Sequence, residues 1–454
     1  MRRHLLIARL GVADMALVPA DQDEVVTELQ LLNTQTQLAH GLSDTVRALL
    51  KQGIYPSSLG ADLLLVATLV HAADTRLSRE DESQDTWTRE IRLVVPVVEM
   101  DRWLPVEGLL SETLNFLTGD RWTINFRSAS TLPRIVPDRP TGVEPPAGDT
   151  VSLFSGGLDS LIGAIDLLQH GNRPVFVSHA GDGATSTAQR ECYDALAARY
   201  GQAAAMRFRF WLAFPKNLVL GSKGEDTTRA RSFLFFSLAA FVGSGLNRQF
   251  VVRAPENGLI ALNVPLDPLR LGALSTRTTH PYYIARWNEL LSRLELPCVV
   301  ENPYRHLTKG EMAQNCVERE LLQQIVASSL SCSSPSKARW QSRPTEHCGY
   351  CTPCLIRRAA LQKAFGRGGD PTTYSISDLS CRALDSEKAE GQQVRSFQLA
   401  LERLRERPAL AALLIHKPGP LTDVINELDQ LASVYSRGMN EVGEVVSGVV
   451  ARPQ

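Results

Sequence analysis

The chain has 454 residues, 44% hydrophobic and 21% charged; at about 150 residues per domain this allows two or three domains and excludes disorder, collagen and coiled coil as global descriptions. Its 48 basic and 49 acidic side chains leave a formal charge of −1 and a pI near 6.8, without the basic excess of a nucleic-acid binder. No run of about 18 uninterrupted apolar residues is present, so no membrane span is expected.

Residues 1–132 read as a mixed α/β domain. The opening MRRHLLIARLGVADMALVPA is broken by Arg9 and Asp14 before a signal-type apolar region can form, so it reads as structure rather than a secretion signal. An apolar run covers 61–70. Strand-like runs cover 89–98 and 121–128, with helical spacing over 104–118 between them. Pro133, Pro137, Pro140, Pro145 and Pro146 then exclude a helix or central strand, because each lacks an amide donor and fixes φ. A linker is placed over 133–148. From Asp149 short β-rich runs (150–155, 174–179, 206–212, 249–255) alternate with helical stretches, which predicts a parallel sheet with helices on both faces. The helix around Phe233 to Val242 is apolar nearly all round and is expected to be buried. This domain is taken to run over 149–385. A helical extension follows over 386–454, marked by Phe397, Leu401 and Leu404 and by Val424, Leu428 and Leu431.

The strongest chemical signal is Ser155-Gly156-Gly157-Leu158-Asp159-Ser160, between the run TVSLF and a predicted helix. Adjacent glycines let the backbone approach an anion and adopt positive φ. The helix start offers unpaired N–H groups and partial positive charge, and the serines add hydroxyl donors, giving a phosphate cradle. The spacing of a Walker loop and that of a dinucleotide fingerprint are both absent. Asp159 inside an anion site is explained if it holds a Mg²⁺ that bridges the phosphates.

The second signal is cysteine spacing. Eight cysteines occur, and Cys348-x2-Cys351-x2-Cys354 follows Cys332 after fifteen residues. Four thiolates suit tetrahedral zinc, with iron–sulfur ligation the competitor. Thiols of this kind imply a reducing compartment, read as the cytoplasm.

SGGLDS resembles the PP-loop of the adenine nucleotide α-hydrolase-like ATP pyrophosphatases. Ser331-Cys332 with Cys348-Gly349-x-Cys351-x-x-Cys354-x-x-Arg357 resembles the metal motif of the 7-cyano-7-deazaguanine synthase (QueC) family, and two further segments agree: Leu307-Thr308-Lys309-Gly310-Glu311-Met312 and Arg229-x-Arg231-Ser232. The resemblance covers about half the chain, Asp149 to Leu384. The three-part layout, with an N-terminal domain and a C-terminal helical tail on either side of this core, resembles that of the QueC-like subunits of Qat-type anti-phage defence operons.

The resemblance implies a Rossmann-like PP-loop core with a zinc knuckle. It implies an enzyme, a C–N ligase using ATP, Mg²⁺ and Zn²⁺, that adenylates the carboxylate of 7-carboxy-7-deazaguanine. The activated acid would then pass to ammonia or to an amine, such as one on a protein partner from the same operon. Ser155, Gly156, Gly157, Leu158, Asp159 and Ser160 would hold the phosphates, with Val177 and His179 beside the adenine. Arg229, Arg231 and Lys309 would neutralise phosphate charge, although Thr308-x-x-Glu311 is equally a helix capping box. Glu256 and Asn257 would meet the deazaguanine or the ribose, or form a plain turn. Two departures stand out: Gln189-Arg190-Glu191 replaces a Q-R-H segment, and the stretch from Ala261 to His280, with Arg270, Arg277, Thr278 and Thr279, does not follow the synthase pattern. Two rival readings are a sulfur-transferring tRNA enzyme, which would need Cys192 or Cys298 as a reactive thiol, and a non-catalytic nucleotide-binding scaffold. Near-neutral charge argues against direct nucleic-acid binding.

Overall fold

The computed structural model describes residues 2–33, 37–83, 85–129, 134–267, 277–333, 335 and 346–453. Pro133 and Arg270 lie outside the described residues. The predicted α/β class is observed, as two parallel sheets flanked by helices.

The first sheet holds β1 (Arg3–Arg9), β2 (Glu24–Gln30), β3 (Glu90–Val97) and β4 (Arg121–Ser128) in the order β2-β1-β3-β4, all parallel. Helices α1 (Leu42–Lys51), α2 (Ser58–Arg76) and α3 (Arg79–Glu82) separate β2 from β3. Helices α4 (Met100–Trp103) and α5 (Glu107–Thr118) separate β3 from β4. The apolar run over 61–70 is the body of α2, which starts where Ser57 accepts a hydrogen bond from the Gly60 amide. By length and composition α2 passes for a membrane-crossing helix, but 89% of its apolar stretch is buried inside the fold.

The second sheet holds β5 (Thr150–Leu153), β6 (Val175–His179), β7 (Met206–Phe210), β8 (Phe250–Arg253) and β9 (Cys298–Glu301), again parallel, in the order β7-β6-β5-β8-β9. Helices α6 (Leu158–Gln169), α7 (Gly183–Tyr200) and α8 (Arg231–Ser244) follow the first three strands. Helices α9 (Gly258–Leu262) and α10 (Pro281–Arg293) lie between β8 and β9. The chain builds outward from β5 to β7, then returns to lay β8 on the other flank of β5. Strand order therefore reverses between β5 and β8, and the crevice beyond the carboxyl ends at such a point is where open α/β sheets bind ligands.

The apolar helix α8 is buried, as its all-round pattern predicts, and it packs against α2 of the first sheet's layer. One continuous cluster of buried side chains runs through both sheets. A buried charge network reinforces the junction. Arg89 bonds Asp120 (2.7 and 3.1 Å) and Asp74 (3.1 Å), Arg79 bonds Asp120 in a fork (2.7 and 2.8 Å), and Asp74 accepts from the Ala230 amide at the start of α8 (2.8 Å).

Beyond β9 come α11 (Lys309–Gln314), α12 (Arg319–Ile325) and α13 (Thr352–Phe365). The tail forms α14 (Ala389–Glu406), α15 (Leu410–Leu414) and α16 (Leu428–Val446). The two-residue strands β10 (Leu384–Asp385) and β11 (Ala451–Arg452) pair in parallel. The periodicity from Val424 overstates the last helix: Val424 has φ −135 and ψ 36 in a 3₁₀ segment, Thr422–Glu427, and the α-helix starts at Leu428. A second apolar cluster joins α9, α13, α14 and α16.

Candidate functional site

The Ser-Gly turn sits at the carboxyl end of β5, at the reversal point. Gly156 has φ +79, and a Cβ there would lie 2.9 Å from the Gln189 amide nitrogen, so glycine is required on both counts. Ser155 Oγ donates to Ser160 Oγ (3.1 Å) and Ser160 Oγ to the Gly157 carbonyl (3.0 Å). The N-cap of α6 is Gly157, which has no side chain to cap the helix. The first-turn amides of a twelve-residue helix are thus left weakly partnered, with Gly157 N 3.3 Å from Ser155 Oγ and Leu158 N 3.4 Å from Ser331 Oγ. Such a terminus favours an anion.

Asp159 is buried in the first turn of α6. Its Oδ2 accepts from the Asn257 amide (3.2 Å) and side-chain nitrogen (2.8 Å), and its Oδ1 lies 3.3 Å from Lys309 Nζ. Three segments, following β5, β8 and β9, therefore meet at one carboxylate. Lys309 is buried at the first position of α11, while Thr308 and Glu311 form the full reciprocal capping box. The capping box is observed, and the helix start it orients brings Lys309 to Asp159. Asn257 caps α9 through the Ile260 amide (3.2 Å) and also binds Asp159. Glu256 accepts from the Thr279 hydroxyl, and Asn302 clasps its backbone on both sides. Burial and the negative charge of Asp159 push its carboxyl up to about 7, against the Thr279 hydrogen bond and the charge of Lys309.

Gln189 is fully buried on α7 and donates to the carbonyls of His179 (3.1 Å) and Ser155 (3.4 Å), joining the end of β6 to the loop. Arg231 NH2 donates to the same His179 carbonyl (3.4 Å). Val177 is wholly buried within β6. Arg229 is placed differently from the expectation. Its guanidinium lies 3.8 Å from the Trp87 ring centre and donates to the Thr118 carbonyl (3.2 Å), so it serves the junction with the first sheet. One helical start separates the two arginines: Arg231 opens α8, and Arg229 stands in the turn before it. Of the stretch that departs from the synthase pattern, Thr279 reaches Glu256. Arg277 and His280 instead stack on Phe116 of α5.

The four cysteines converge. The sulfurs of Cys332, Cys348, Cys351 and Cys354 all lie within 4.8 Å of one another, an arrangement that can hold a metal ion such as zinc. Gly349 at φ +86 makes the tight turn after Cys348. Cys351 is the N-cap of α13, whose helix start favours thiolate. Two amides point at sulfur: Cys348 N at Cys332 (3.5 Å) and Cys351 N at Cys348 (3.3 Å). The segment leading into the cluster also braces the Ser-Gly loop, which the sequence does not reveal. Leu330 N donates to the Gly156 carbonyl (2.8 Å), and Ser331 Oγ faces the Leu158 amide. The fully buried Arg357 fixes that segment through Ser329 (2.9 Å), the Val326 carbonyl (2.7 Å) and Ser331 (3.4 Å). The cysteines of the sulfur-transfer reading are core residues. Cys192 is inaccessible and its thiol is pushed up to about 12 by burial; Cys298 is buried in β9 and pushed up likewise.

The site thus combines an anion cradle, a buried carboxylate–lysine pair, a raised acid and a braced loop. No family model matches the chain, and no curated protein matches it.

Proposed function

We propose that this chain is a QueC-like PP-loop ligase that activates the carboxylate of a 7-deazaguanine with ATP in the cytoplasm, within an anti-phage defence system. The observation that carries the reading is the meeting of Asp159, Asn257 and Lys309 at the strand-order reversal, beside an uncapped Ser-Gly helix start. A buried carboxylate and a buried cation next to an anion cradle suit a magnesium–triphosphate better than they suit a plain turn.

In the proposed reaction a substrate carboxylate oxygen attacks the α-phosphorus. The α–β anhydride bond breaks and pyrophosphate leaves, giving an acyl-adenylate. An amine nitrogen then attacks the carbonyl carbon, AMP departs with the C–O bonding pair, and the nitrogen loses a proton. The loop from Ser155 to Ser160 would hold the β- and γ-phosphates, and Asp159, whose buried Oδ1 accepts no hydrogen bond and has Lys309 Nζ 3.3 Å away, would meet the magnesium that enters with them. Lys309 and Arg231 would neutralise charge, a role for which Arg231 is better placed than Arg229. Glu256 would accept the ring N–H groups of the base. Cys332, Cys348, Cys351 and Cys354 would hold a structural zinc that keeps the loop's brace in place. The amine is ammonia or one carried by an operon partner.

The test is ATP–pyrophosphate exchange with 7-carboxy-7-deazaguanine. The wild type should exchange label, and Asp159→Asn should lower the rate at least about 10³-fold. No exchange by the metal-replete wild type would overturn the reading. Mass spectrometry of co-expressed operon proteins identifies the amine.

A further inference from the structure

A cavity of about 660 Å³ opens beside the phosphate loop, at the carboxyl ends of β6 and β7. Its walls come from two parts of the chain. His179, Gly181 and Arg231 line it from the second sheet, and His71, Thr75 and Arg76 line it from α2 of the first. Four buried nitrogens here lack a hydrogen-bond partner. His179 is 2% exposed with neither ring nitrogen hydrogen-bonded, His71 is 6% exposed with its Nδ1 unpartnered, and Arg231 Nε is unpartnered too. The imidazoles meet edge to face, with ring centres 5.2 Å apart at 87°. Burial, with Arg231 adding to it, pulls His71 down to about 3 and His179 to about 2, so both rings are neutral at physiological pH. Buried polar atoms are nearly always hydrogen-bonded, and a cluster that is not calls for a ligand or ordered water.

The resemblance already puts the adenine at the end of β6; we propose that α2 closes this cavity over the base, and that His71 is the residue that reads it. A neutral imidazole presents one donor and one acceptor, and the amino-pyrimidine edge of adenine presents an amino donor beside a ring acceptor. Leu212 and Phe214, which also line the cavity, supply apolar surface for the ring faces. Gln189 ties the His179 carbonyl to the Ser155 carbonyl, which sets the distance between base end and phosphate end. The inference rests on the loop's being a triphosphate site. It adds that the first sheet's layer is part of the nucleotide site, which the second sheet alone leaves open.

Two measurements on the full-length protein test it. In ATP–pyrophosphate exchange, His71→Ala should raise the KM for ATP about tenfold while kcat changes less, and His71→Gln, which restores a donor and an acceptor, should recover part of the loss. Photolabelling of the unaltered chain with 2-azido-ATP should place label on the peptide that carries residues 71–76. A folded His71→Ala protein with wild-type KM, or label absent from that peptide, overturns the proposal. If His71→Ala does not fold, the photolabel decides alone. Label on α2 without exchange activity would refute adenylation and leave the pocket standing; exchange without that label would do the reverse.

Discussion

Replacing Glu256 by Gln separates what this side chain does for folding from what it does for a ligand. In the unfolded chain the carboxyl titrates near its ordinary 4.5, and in the folded chain near 7, chiefly through burial and then through Asp159. The folded state therefore binds more protons between those values. The stabilising contribution of this group is complete below pH 4.5 and is lost as pH rises through 7. At about 1.36 kcal/mol per pH unit, the shift corresponds to about 3 kcal/mol at pH 8. Glutamine keeps the shape and an acceptor for the Thr279 hydroxyl but cannot ionise. Urea unfolding followed by tryptophan fluorescence should give equal midpoints for wild type and Glu256→Gln at pH 5. At pH 8 the variant should be the more stable, by up to about 3 kcal/mol. On the proposed function the same variant should bind the deazaguanine acid more weakly, because the carboxylate that would accept its N–H groups has gone. Equal destabilisation of Glu256→Gln at both pH values would refute the reasoning.

Three further outcomes follow from the geometry. The purified protein should carry about one zinc per chain; Cys351→Ser should lose it, as measured by elemental analysis, and lose exchange activity with it because the Leu330–Ser331 brace is released. Gly156→Ala forces an alanine into φ +79 and its Cβ against Gln189; ATP should raise the melting temperature of the wild type and leave that of the variant unchanged. Asp120→Ala removes the carboxylate held below its usual range, where Arg89 and Arg79 outweigh the effect of burial. With Arg89 then buried and short of a partner, the melting curve should show a loss of about 3–5 kcal/mol.

Much of the second half was legible in the sequence because its signals are local. The Ser-Gly turn needs a strand before it and a helix after it, and the cysteine spacing needs only its own knuckle. Lys309 is marked by the family resemblance and Asn257 by its place just past a strand end; the capping box at Thr308 stands as the alternative to a role for Lys309, and the cap that Asn257 makes on α9 reads in the sequence as a plain turn. Other contributions depend on tertiary placement and left no local mark. His71 sits within an apolar helix and looks like any core histidine until α2 is docked on the second sheet's layer. Arg357 looks like a surface residue of the cysteine motif until the segment it clamps is folded over it. Arg229 and Arg231 are indistinguishable by type, and only the start of α8 between them sends one toward His179 and the other toward Trp87. The strand order is set by long-range pairing, which no periodicity encodes. The helix expected from Val424 failed for a different reason: spacing at i, i+4, i+7 records which side chains face inward, and a 3₁₀ turn can present Val424 to the same apolar surface.

The back-to-back seating of α2 and α8 has a bearing on how such a protein can be dismantled. Cutting the chain at the proline-rich stretch would strip each half of the partner that shields its most water-averse surface, and would leave Asp74 and Arg89 facing solvent on one fragment while the opposite fragment lost the cap on its central helix. The two halves therefore share one interior, and a lesion in the first sheet will be felt at the start of α8 in the second.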